Sequence, residues 1–367
     1  MKKFNLSMKD PILLMINNSL MSLPTPTSIS FLWNMGFLLG IMMTFQIITG
    51  LFLSMNYVSE MNMALESVFH ITRDIDSGWL MRYCHMNGAS MLFILIYSHL
   101  TRALYFESYS KSPQVWMSGL ILLLMTMATA FLGYVLPWGQ MSFWGATVIT
   151  SMISSIPYLG KNITQWLWGN FSVSQPTLNR FFSLHFILPM IIMAMILIHL
   201  ILLHQSGSSN PLGFNPNYDK MKFFPYSMTK DSLCLLFTMM ILTVMMMEYP
   251  LLLEDVENFN KASMTTTPAH IQPEWYFLFA YAILRSIPSK LGGVMAMIGA
   301  ILLLGTLIMK KSSKVNKKFN PIKKLSFWTF ITITILLSWI GANPVEQPFV
   351  TMGKFLSILY FTFMQLV

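Results

Sequence analysis

The chain has 367 residues, of which 54% are hydrophobic and only 10% are charged. A soluble globular protein carries about 25% charged residues, so this composition excludes an ordinary soluble domain and favours a multi-pass membrane protein. Its two cysteines, Cys84 and Cys234, form no CxxC motif. That speaks against a disulfide framework, a structural zinc site and a covalently attached c-type haem. The chain contains 34 methionines. Either Met has replaced Leu at lipid-facing positions at little cost, or the gene is read with a mitochondrial genetic code that assigns an additional codon to Met.

Eight segments are long and apolar enough to cross a bilayer, which takes about 20 residues. In chain order they cover residues 32–55, 78–106, 114–136, 175–205, 226–248, 289–310, 324–342 and 349–366. The aromatic stretch 137–170 predicts two interfacial helices, because Trp prefers the headgroup zone. The loop 249–288 is acidic and rich in proline, and it is expected to contain a further short helix. The sequence therefore predicts an all-α membrane protein with eight transmembrane helices, the first four forming a bundle.

The basic residues are distributed unequally between the two sides of the membrane. Fifteen of the 23 Lys and Arg residues lie on the side shared by both termini, when each boundary residue is assigned to its nearer side. Four of the 14 acidic residues lie there, and ten lie opposite. The positive-inside rule then puts both termini in the cytoplasm or the mitochondrial matrix. Because topology accounts for the formal charge of +9, no nucleic-acid partner is required.

Two histidines fourteen residues apart lie inside the second span, and the fourth span repeats the interval. They are His85 and His99, then His185 and His199. Fourteen residues at about 100° each is about 40° short of four turns, so each pair shares one helix face, roughly 21 Å apart along the axis. The second and fourth spans run in the same direction. His85 can therefore face His185 near the outer side, and His99 can face His199 near the inner side.

Two matched pairs of intramembrane imidazoles suit the two axial positions of a haem iron at each level. A single histidine at that depth would more often be an interhelical hydrogen-bond donor, although ionisable groups there are commonly functional. Zinc would need a third or fourth ligand at each level. Since both axial positions would be filled, the pattern favours electron transfer over chemistry at the iron.

Glycines repeat the same interval in the first and third spans, at Gly36 and Gly50 and at Gly119 and Gly133. Small residues ordinarily allow close helix contact. The shared interval predicts that these glycines make room for two stacked flat cofactors inside the four-helix bundle. Three arginines near the membrane ends can pair with haem propionates or simply extend to the headgroups. These are Arg82, Arg102 and Arg180.

The motifs GYVLPWGQMSFWGATVIT (133–150) and PEWYFLFAYAILRSIP (273–288), with the paired histidines, closely resemble cytochrome b of the mitochondrial quinol–cytochrome c oxidoreductase. The resemblance covers essentially the whole chain. It implies two non-covalent b-type haems, the outer on His85/His185 and the inner on His99/His199. It also implies oxidation of ubiquinol at an outer site and reduction of ubiquinone at an inner site, coupled to proton translocation.

The resemblance places the outer site around the PEWY motif and the WGATVIT helix. The implied residues are Pro273, Glu274, Trp275, Tyr276 and Tyr281. A quinol that loses two electrons must also lose two protons, and Glu274 can accept one as a general base. The alternative is a solvated loop acid, against which the apolar WYFLFAY that follows speaks.

The inner site implied by the resemblance lies where the fourth span ends, beside His199. The implied contacts are His204, Ser208 and Asp231, and Lys230 is a further candidate at the start of the fifth span. A histidine is suited to proton delivery there. Gln205 and Ser209 stand where many relatives carry an acid and an asparagine, which leaves the fine hydrogen bonding open. His70 and His270 have no partner in the pattern and are interpreted as outer loop residues.

The resemblance further implies a di-haem domain over 1–210, a C-terminal domain over 211–367 and a place in the mitochondrial inner membrane. Implied partners are a Rieske-type iron–sulfur protein, a cytochrome c1-type subunit, other complex III subunits and a second copy in a homodimer. Two alternatives remain. A transporter with a histidine proton relay would predict a polar path or inverted repeats, and no such repeat is evident. A haem-bearing scaffold without quinone chemistry would leave the PEWY motif and Glu274 unexplained.

Overall fold

The computed structural model describes residues 10–310 and 320–367, and within them it contains fourteen α-helices and one pair of short strands. The helices are α1 (Pro11–Ile16), α2 (Met35–Ser54), α3 (Ala64–Arg73), α4 (Gly78–Tyr105), α5 (Ser108–Lys111), α6 (Pro113–Val135), α7 (Gln140–Ser151), α8 (Gly160–Trp168), α9 (Gln175–Ser206), α10 (Tyr226–Glu248), α11 (Leu278–Ser286), α12 (Lys290–Leu302), α13 (Pro321–Gly341) and α14 (Phe349–Leu366). The strands β1 (Pro24–Pro26) and β2 (Lys220–Lys222) pair antiparallel. Short 3-10 segments include Trp275–Phe277 and Leu303–Met309.

The eight predicted spans correspond to α2, α4, α6, α9, α10, α12, α13 and α14, with ends that agree to within a few residues when the 3-10 segment Leu303–Met309 is counted with α12. Seven helices among the described residues are long and apolar enough to cross a membrane. The remaining span, α4, has 28 residues but carries many polar side chains along its length. The all-α membrane fold is confirmed, and the small β1–β2 pair is an addition to it. Lys2, Lys3, Lys9 and the lysines within 311–319, which entered the charge count, lie outside the described residues.

Helix α9 shows how local sequence sets the ends of a span. Ser174 and Thr177 form a reciprocal capping box at its start, so two backbone N–H groups that lack helical partners are satisfied. Gly207 ends the helix with a φ of 73°, a conformation that glycine adopts without steric cost. Pro189 lies inside the helix and removes one backbone donor there. The helix between these signals is long enough to carry both of its paired histidines.

The first four spans form two packed pairs. Helix α2 packs along α4, α6 packs along α9, and α2 also contacts α9. The two histidine-bearing helices, α4 and α9, therefore lie across the bundle from each other. Helices α11, α12, α13 and α14 build a separate apolar core that also receives Trp116 and Leu120 from α6.

Both predicted interfacial helices are present, as α7 and α8. Hydrogen bonds fasten the loop after α10 to α7. The Asn258 side-chain oxygen accepts from the backbone N–H and the hydroxyl of Ser142, each at 2.9 Å, and the Gln140 side-chain oxygen accepts from the Ser263 N–H at 2.9 Å. Because these polar groups are largely buried, each bond also gives them a partner that they would otherwise lack. The loop that leads to the PEWY motif is thus held against the bundle.

Candidate functional site

His85 and His185 face each other across the bundle. Their ring centroids are 6.2 Å apart, and the ring planes are nearly perpendicular at 86°. Two imidazoles that bind one metal ion from opposite sides, each at about 2 Å, hold their ring centroids about 6 Å apart. The spacing of this pair therefore matches bis-histidine ligation of a single iron.

Three of the four paired histidines have an oxygen beside the ring Nδ1 atom. The contacts are Thr49 Oγ1 with His85 (3.0 Å), the Thr129 carbonyl with His185 (2.8 Å) and Ser118 Oγ with His199 (2.7 Å). An oxygen acceptor at Nδ1 fixes the proton there and leaves the Nε2 lone pair free for a metal. Within the described residues, Nε2 of these three rings makes no hydrogen bond, so each is disposed to act as a ligand.

His99 differs from the other three. Its Nδ1 lies 3.3 Å from Arg102 Nη2, and a guanidinium is a donor only. Arg102 Nε is buried without a partner among the described residues, and its guanidinium lies 5.2 Å from the centre of the Trp33 ring. Arg102 is thus a partly buried cation with spare donor capacity at its buried Nε. An anionic group that bound it would release His99 Nδ1.

Each predicted glycine faces one of the paired histidines. A Cβ built on Gly50 would lie 2.9 Å from His85 Cε1, and one on Gly133 would lie 2.5 Å from His185 Cε1. The same holds at the other level, where Gly36 faces His99 at 3.5 Å and Gly119 faces His199 at 3.4 Å. The fourteen-residue interval therefore brings a glycine and a histidine together on each packed helix pair.

A cavity, here called the histidine cavity, opens between α4 and α9 at the outer level. It is lined by residues from α2, α4, α6, α9 and the loops, among them Gln46, Gly50, Arg82, His85, Gly133, Tyr134, His185, Glu254, Glu274 and Tyr276. Gln46 Nε2 is a buried donor with no partner in the described part of the chain. An unsatisfied buried donor in a cavity wall is costly unless a bound group accepts from it. Gln46, Tyr134 and Glu254 were not among the predicted site residues.

A second cavity, here called the loop cavity, lies between α6, α7 and the PEWY segment. It is lined by Gly145, Ala146 and Ile149 of the WGATVIT helix and by Pro273, Glu274, Phe277 and Tyr281, together with residues of α12. The Tyr281 hydroxyl donates to the Ile271 carbonyl at 3.1 Å. Glu274 and Tyr134 line both cavities, so they form part of the wall between them.

The environment of Glu274 keeps its carboxyl group protonated to unusually high pH. Burial raises its pKa most, and the negative charge of Glu254 raises it further. A hydrogen bond from Tyr134 and the charge of Arg82 act in the opposite direction, and the resulting pKa is about 8. A carboxyl group that titrates near neutral pH is suited to accept and release protons.

Aromatic contacts hold the PEWY segment against α4. Tyr276 is buried and stacks on Phe93, with ring centroids 3.9 Å apart and planes within 4°. The Tyr97 hydroxyl donates to the Tyr276 carbonyl at 2.5 Å, and Trp275 Nε1 donates to Ser90 Oγ at 3.2 Å. The helix that carries His85 and His99 therefore also positions the residues next to Glu274.

Family models match most of the chain. The model described as "Cytochrome b/b6/petB" matches residues 20–207, and the model described as "Cytochrome b(C-terminal)/b6/petD" matches residues 261–361. The chain belongs to the cytochrome b family. A solved structure titled "Hyperthermophilic respiratory Complex III" is similar to this chain, with a TM-score of 0.90 and 29% sequence identity, over 97% of this chain and 95% of that one.

Membership of the cytochrome b family implies binding of b-type haem and a role in electron transfer. The outer-level residues fit such a group, because the rings of His85 and His185 are spaced for one iron and the unsatisfied Gln46 donor lies in the same cavity. The donor set also fits. Two facing imidazoles are the donor set of bis-histidine haem ligation. Within residues 10–310 and 320–367, no group of three or more His, Cys, Asp or Glu side chains is placed to hold a metal ion.

The predicted propionate arginines of this cytochrome b lie in different surroundings. Arg82 lines the histidine cavity, and its Nη2 lies 3.9 Å from Glu254 Oε1. Arg180 instead donates to the backbone carbonyls of Trp166 and Leu167 at the end of α8. Pairing of these arginines with haem propionates stays a prediction.

The predicted inner-site residues lie in different surroundings. His204 is exposed and Ser208 lies just beyond α9, whereas Asp231 is buried in α10. No hydrogen bond or ion pair joins these three within the described residues. Lys230 donates to the Ile29 carbonyl at 2.5 Å and lies 5.2 Å from the centre of the Tyr226 ring. Their role in quinone binding therefore stays a prediction.

The interpretation of His70 as a loop residue is wrong. His70 lies in α3, where its Nδ1 contacts Asp74 Oδ2 at 2.8 Å. His270 does lie in a loop, and its Nε2 is buried without a partner among the described residues. The ALESVFHITR stretch has Glu66 in its first turn and Arg73 in its last, a charge order that favours a helix.

Proposed function

We propose that this chain is the haem-bearing core subunit of a respiratory quinol–cytochrome c oxidoreductase, which oxidises ubiquinol at an outer site and reduces ubiquinone at an inner site. The observation that carries the proposal is the position of Glu274 in the wall between the histidine cavity and the loop cavity. A quinol in the loop cavity would face Glu274 as a proton acceptor. The haem held by His85 and His185, which would accept an electron, would lie behind the same wall. Neither the transporter nor the scaffold alternative requires that arrangement.

The residues in and beside the loop cavity would have different roles in quinol oxidation. Pro273 and Tyr281 shape the cavity, with the Tyr281 hydroxyl held by the Ile271 carbonyl. Tyr276 anchors the segment on Phe93, so the Glu274 carboxylate stays in the wall. Glu274 accepts a quinol proton as a general base. Because its pKa of about 8 lies near the working pH, it can also release that proton again.

The paired histidines would hold two b-type haems, His85 with His185 at the outer level and His99 with His199 at the inner level. When bound, these haems supply one-electron transfer between the two quinone sites, which is the chemistry that bis-histidine ligation favours. Arg102 would hold an anionic propionate at the inner level, and its unpaired Nε supports that role. Gly36, Gly50, Gly119 and Gly133 keep the space beside the histidine rings open.

At the inner site, His204, Ser208, Asp231 and Lys230 would contact the quinone head, with His204 supplying protons. His204 is exposed at the end of α9, where a proton from the adjoining solution can reach it. Protons would leave on the outer side and enter on the inner side, so the reaction is coupled to proton translocation. The charge distribution supports a location of both termini, and therefore of the inner site, on the matrix side of the mitochondrial inner membrane.

The proposed assembly contains further polypeptides. The chain would act with a Rieske-type iron–sulfur protein, a cytochrome c1-type subunit and other complex III subunits, as a homodimer in the lipid bilayer. The similarity to a solved respiratory Complex III supports this membership. Within the chain, residues 1–210 would form the di-haem domain and residues 211–367 the C-terminal domain.

The test is quinol-driven haem reduction in the purified native complex, followed between pH 6 and 9. The rate is expected to rise with pH toward a plateau as Glu274 loses its proton near pH 8, because only the deprotonated carboxylate can act as the base. E274Q is expected to slow reduction by about a hundredfold or more while both b-type bands remain. Loss of haem in E274Q would make Glu274 a structural residue, and an unchanged rate would remove it as the base.

A further inference from the structure

Glu254 is a second carboxylate in the wall of the histidine cavity. Its side chain is only 6% exposed, and it lines the same cavity as Glu274. Arg82 Nη2 lies 3.9 Å from Glu254 Oε1, and Asn258 Nδ2 donates to that same oxygen at 3.4 Å. The Arg82 charge balances a carboxylate that has little access to water, and such a burial would otherwise be costly.

Glu254 also lies where the cavity meets the outer loop. The residues on either side of it in the chain are mostly exposed, with Leu252 68% and Val256 80% exposed. Asn87 Nδ2, from α4, donates to the Pro250 carbonyl at 3.0 Å and so fixes the start of this loop to the bundle. Glu254 is therefore held between a largely buried cavity and a surface segment.

The charge of Glu254 acts on Glu274. Of the groups that face Glu274, Glu254 and Asp255 are negative, Arg82 is positive and Tyr134 donates a hydrogen bond. Among these charges, Glu254 has the largest effect, and it raises the pKa of Glu274. When Glu254 is negatively charged, its repulsion of a negative charge on Glu274 favours the protonated form of Glu274. When Glu254 is neutral, that repulsion is absent, and Glu274 holds its proton less strongly.

We infer that Glu254 is the next proton acceptor after Glu274 and passes quinol protons from the histidine cavity to the outer solution. The inference rests on the proposed function, because it extends the path of a proton that Glu274 has accepted. The proton on the Glu274 carboxyl group moves, directly or through water, to the Glu254 carboxylate. Glu274 returns to its anionic form, and Glu254 then releases the proton to water beside Val256. No bond other than the two O–H bonds changes, and no electron is transferred in this step.

The experiment uses the purified native complex with three substitutions in this chain. E254Q removes the acceptor and its charge, and E254D keeps a carboxylate on a shorter side chain. E248Q is the matched control, because Glu248 is an exposed acid that precedes the same loop. Each variant is measured for b-type band intensity, for the pH profile of quinol-driven haem reduction, and for proton release with a pH indicator on the outer side.

The inference predicts two separate changes in E254Q. The plateau rate of haem reduction falls by about tenfold, because the acceptor is missing. The rate of proton release on the outer side falls with it. The midpoint of the pH profile moves to lower pH, because loss of the Glu254 charge lowers the pKa of Glu274. E254D is expected to recover most of the rate, and E248Q should match the unmodified complex.

Three results would overturn the inference. E254Q with an unchanged plateau would show that Glu254 carries no proton. Loss of the haem bands in both E254Q and E254D would make Glu254 a structural partner of Arg82. A slower E254Q with an unmoved midpoint would likewise assign it a structural role. If E274Q slows the reaction while E254Q does not, the proposed function stands and only this inference fails; if E274Q has no effect, the proposed function has lost its base.

Discussion

Substitution of the four bundle glycines by alanine is expected to have graded effects, in an order set by distance. The added Cβ would lie 2.5 Å from His185 at Gly133 and 2.9 Å from His85 at Gly50, against 3.4 Å at Gly119 and 3.5 Å at Gly36. Overpacking costs about 1–3 kcal/mol, while replacing Gly by Ala inside a helix gains about 1 kcal/mol. The clash therefore exceeds the gain at the outer level, and the two nearly cancel at the inner level.

The clash at Gly133 cannot be relieved cheaply. The His185 ring is held by the hydrogen bond from its Nδ1 to the Thr129 carbonyl at 2.8 Å, so moving the ring away from a new Cβ breaks that bond. G133A is expected to lower the outer b-type band most, followed by G50A, with G119A and G36A close to the unmodified complex. The measurement is low-temperature reduced-minus-oxidised spectroscopy of the purified complex, with the band intensity expressed per polypeptide. Equal loss of haem in G36A and G133A would refute the claim that the distance between the new Cβ and the histidine ring sets the size of the effect.

Two further predictions concern α4. H99A is expected to remove one of two b-type bands and leave the other, because it deletes a ligand at the inner level only; two intact bands in the low-temperature spectrum would contradict the assignment of four histidines to two haems. N87L is expected to destabilise the complex by about 1–3 kcal/mol, since the Pro250 carbonyl loses its donor in a partly buried setting. A lower Tm with both bands retained is the expected readout, and an unchanged Tm would show that the bond contributes little.

The spans could be predicted from sequence because each one must bury its backbone polar groups within a single apolar helix. Because of that requirement, length and hydropathy identify most of the spans, and the predicted and observed ends agree closely for α9 and α10. Helix α4 has the length of a span but carries many polar side chains. The β1–β2 pair could not be predicted in the same way. Its strands are three residues long and lie almost two hundred residues apart, and β1 contains two prolines, which ordinarily argue against a strand.

The site was predictable where it depends on helical periodicity. The interval of fourteen residues predicted that the histidines share faces, and the structure places one glycine beside each of them. Contacts that depend on the rotation of a neighbouring helix or on the course of a loop were not predictable. Gln46 and Glu254 enter the histidine cavity for those reasons. Thr49 and Ser118 did carry a signal, since each precedes a glycine of the repeated interval and bonds a histidine.

Helix α4 connects the two halves of the proposed reaction. One of its faces carries His85 and His99, and another, roughly a third of a turn away at about 100° per residue, carries Ser90, Phe93 and Tyr97. The second face holds the PEWY segment through two hydrogen bonds and a stacked ring. A rotation of α4 would therefore move the histidines and the wall that contains Glu274 together. Because a helix is stiff over these few turns and holds the PEWY segment directly, α4 itself helps to fix the distance between Glu274 and the paired histidine His85.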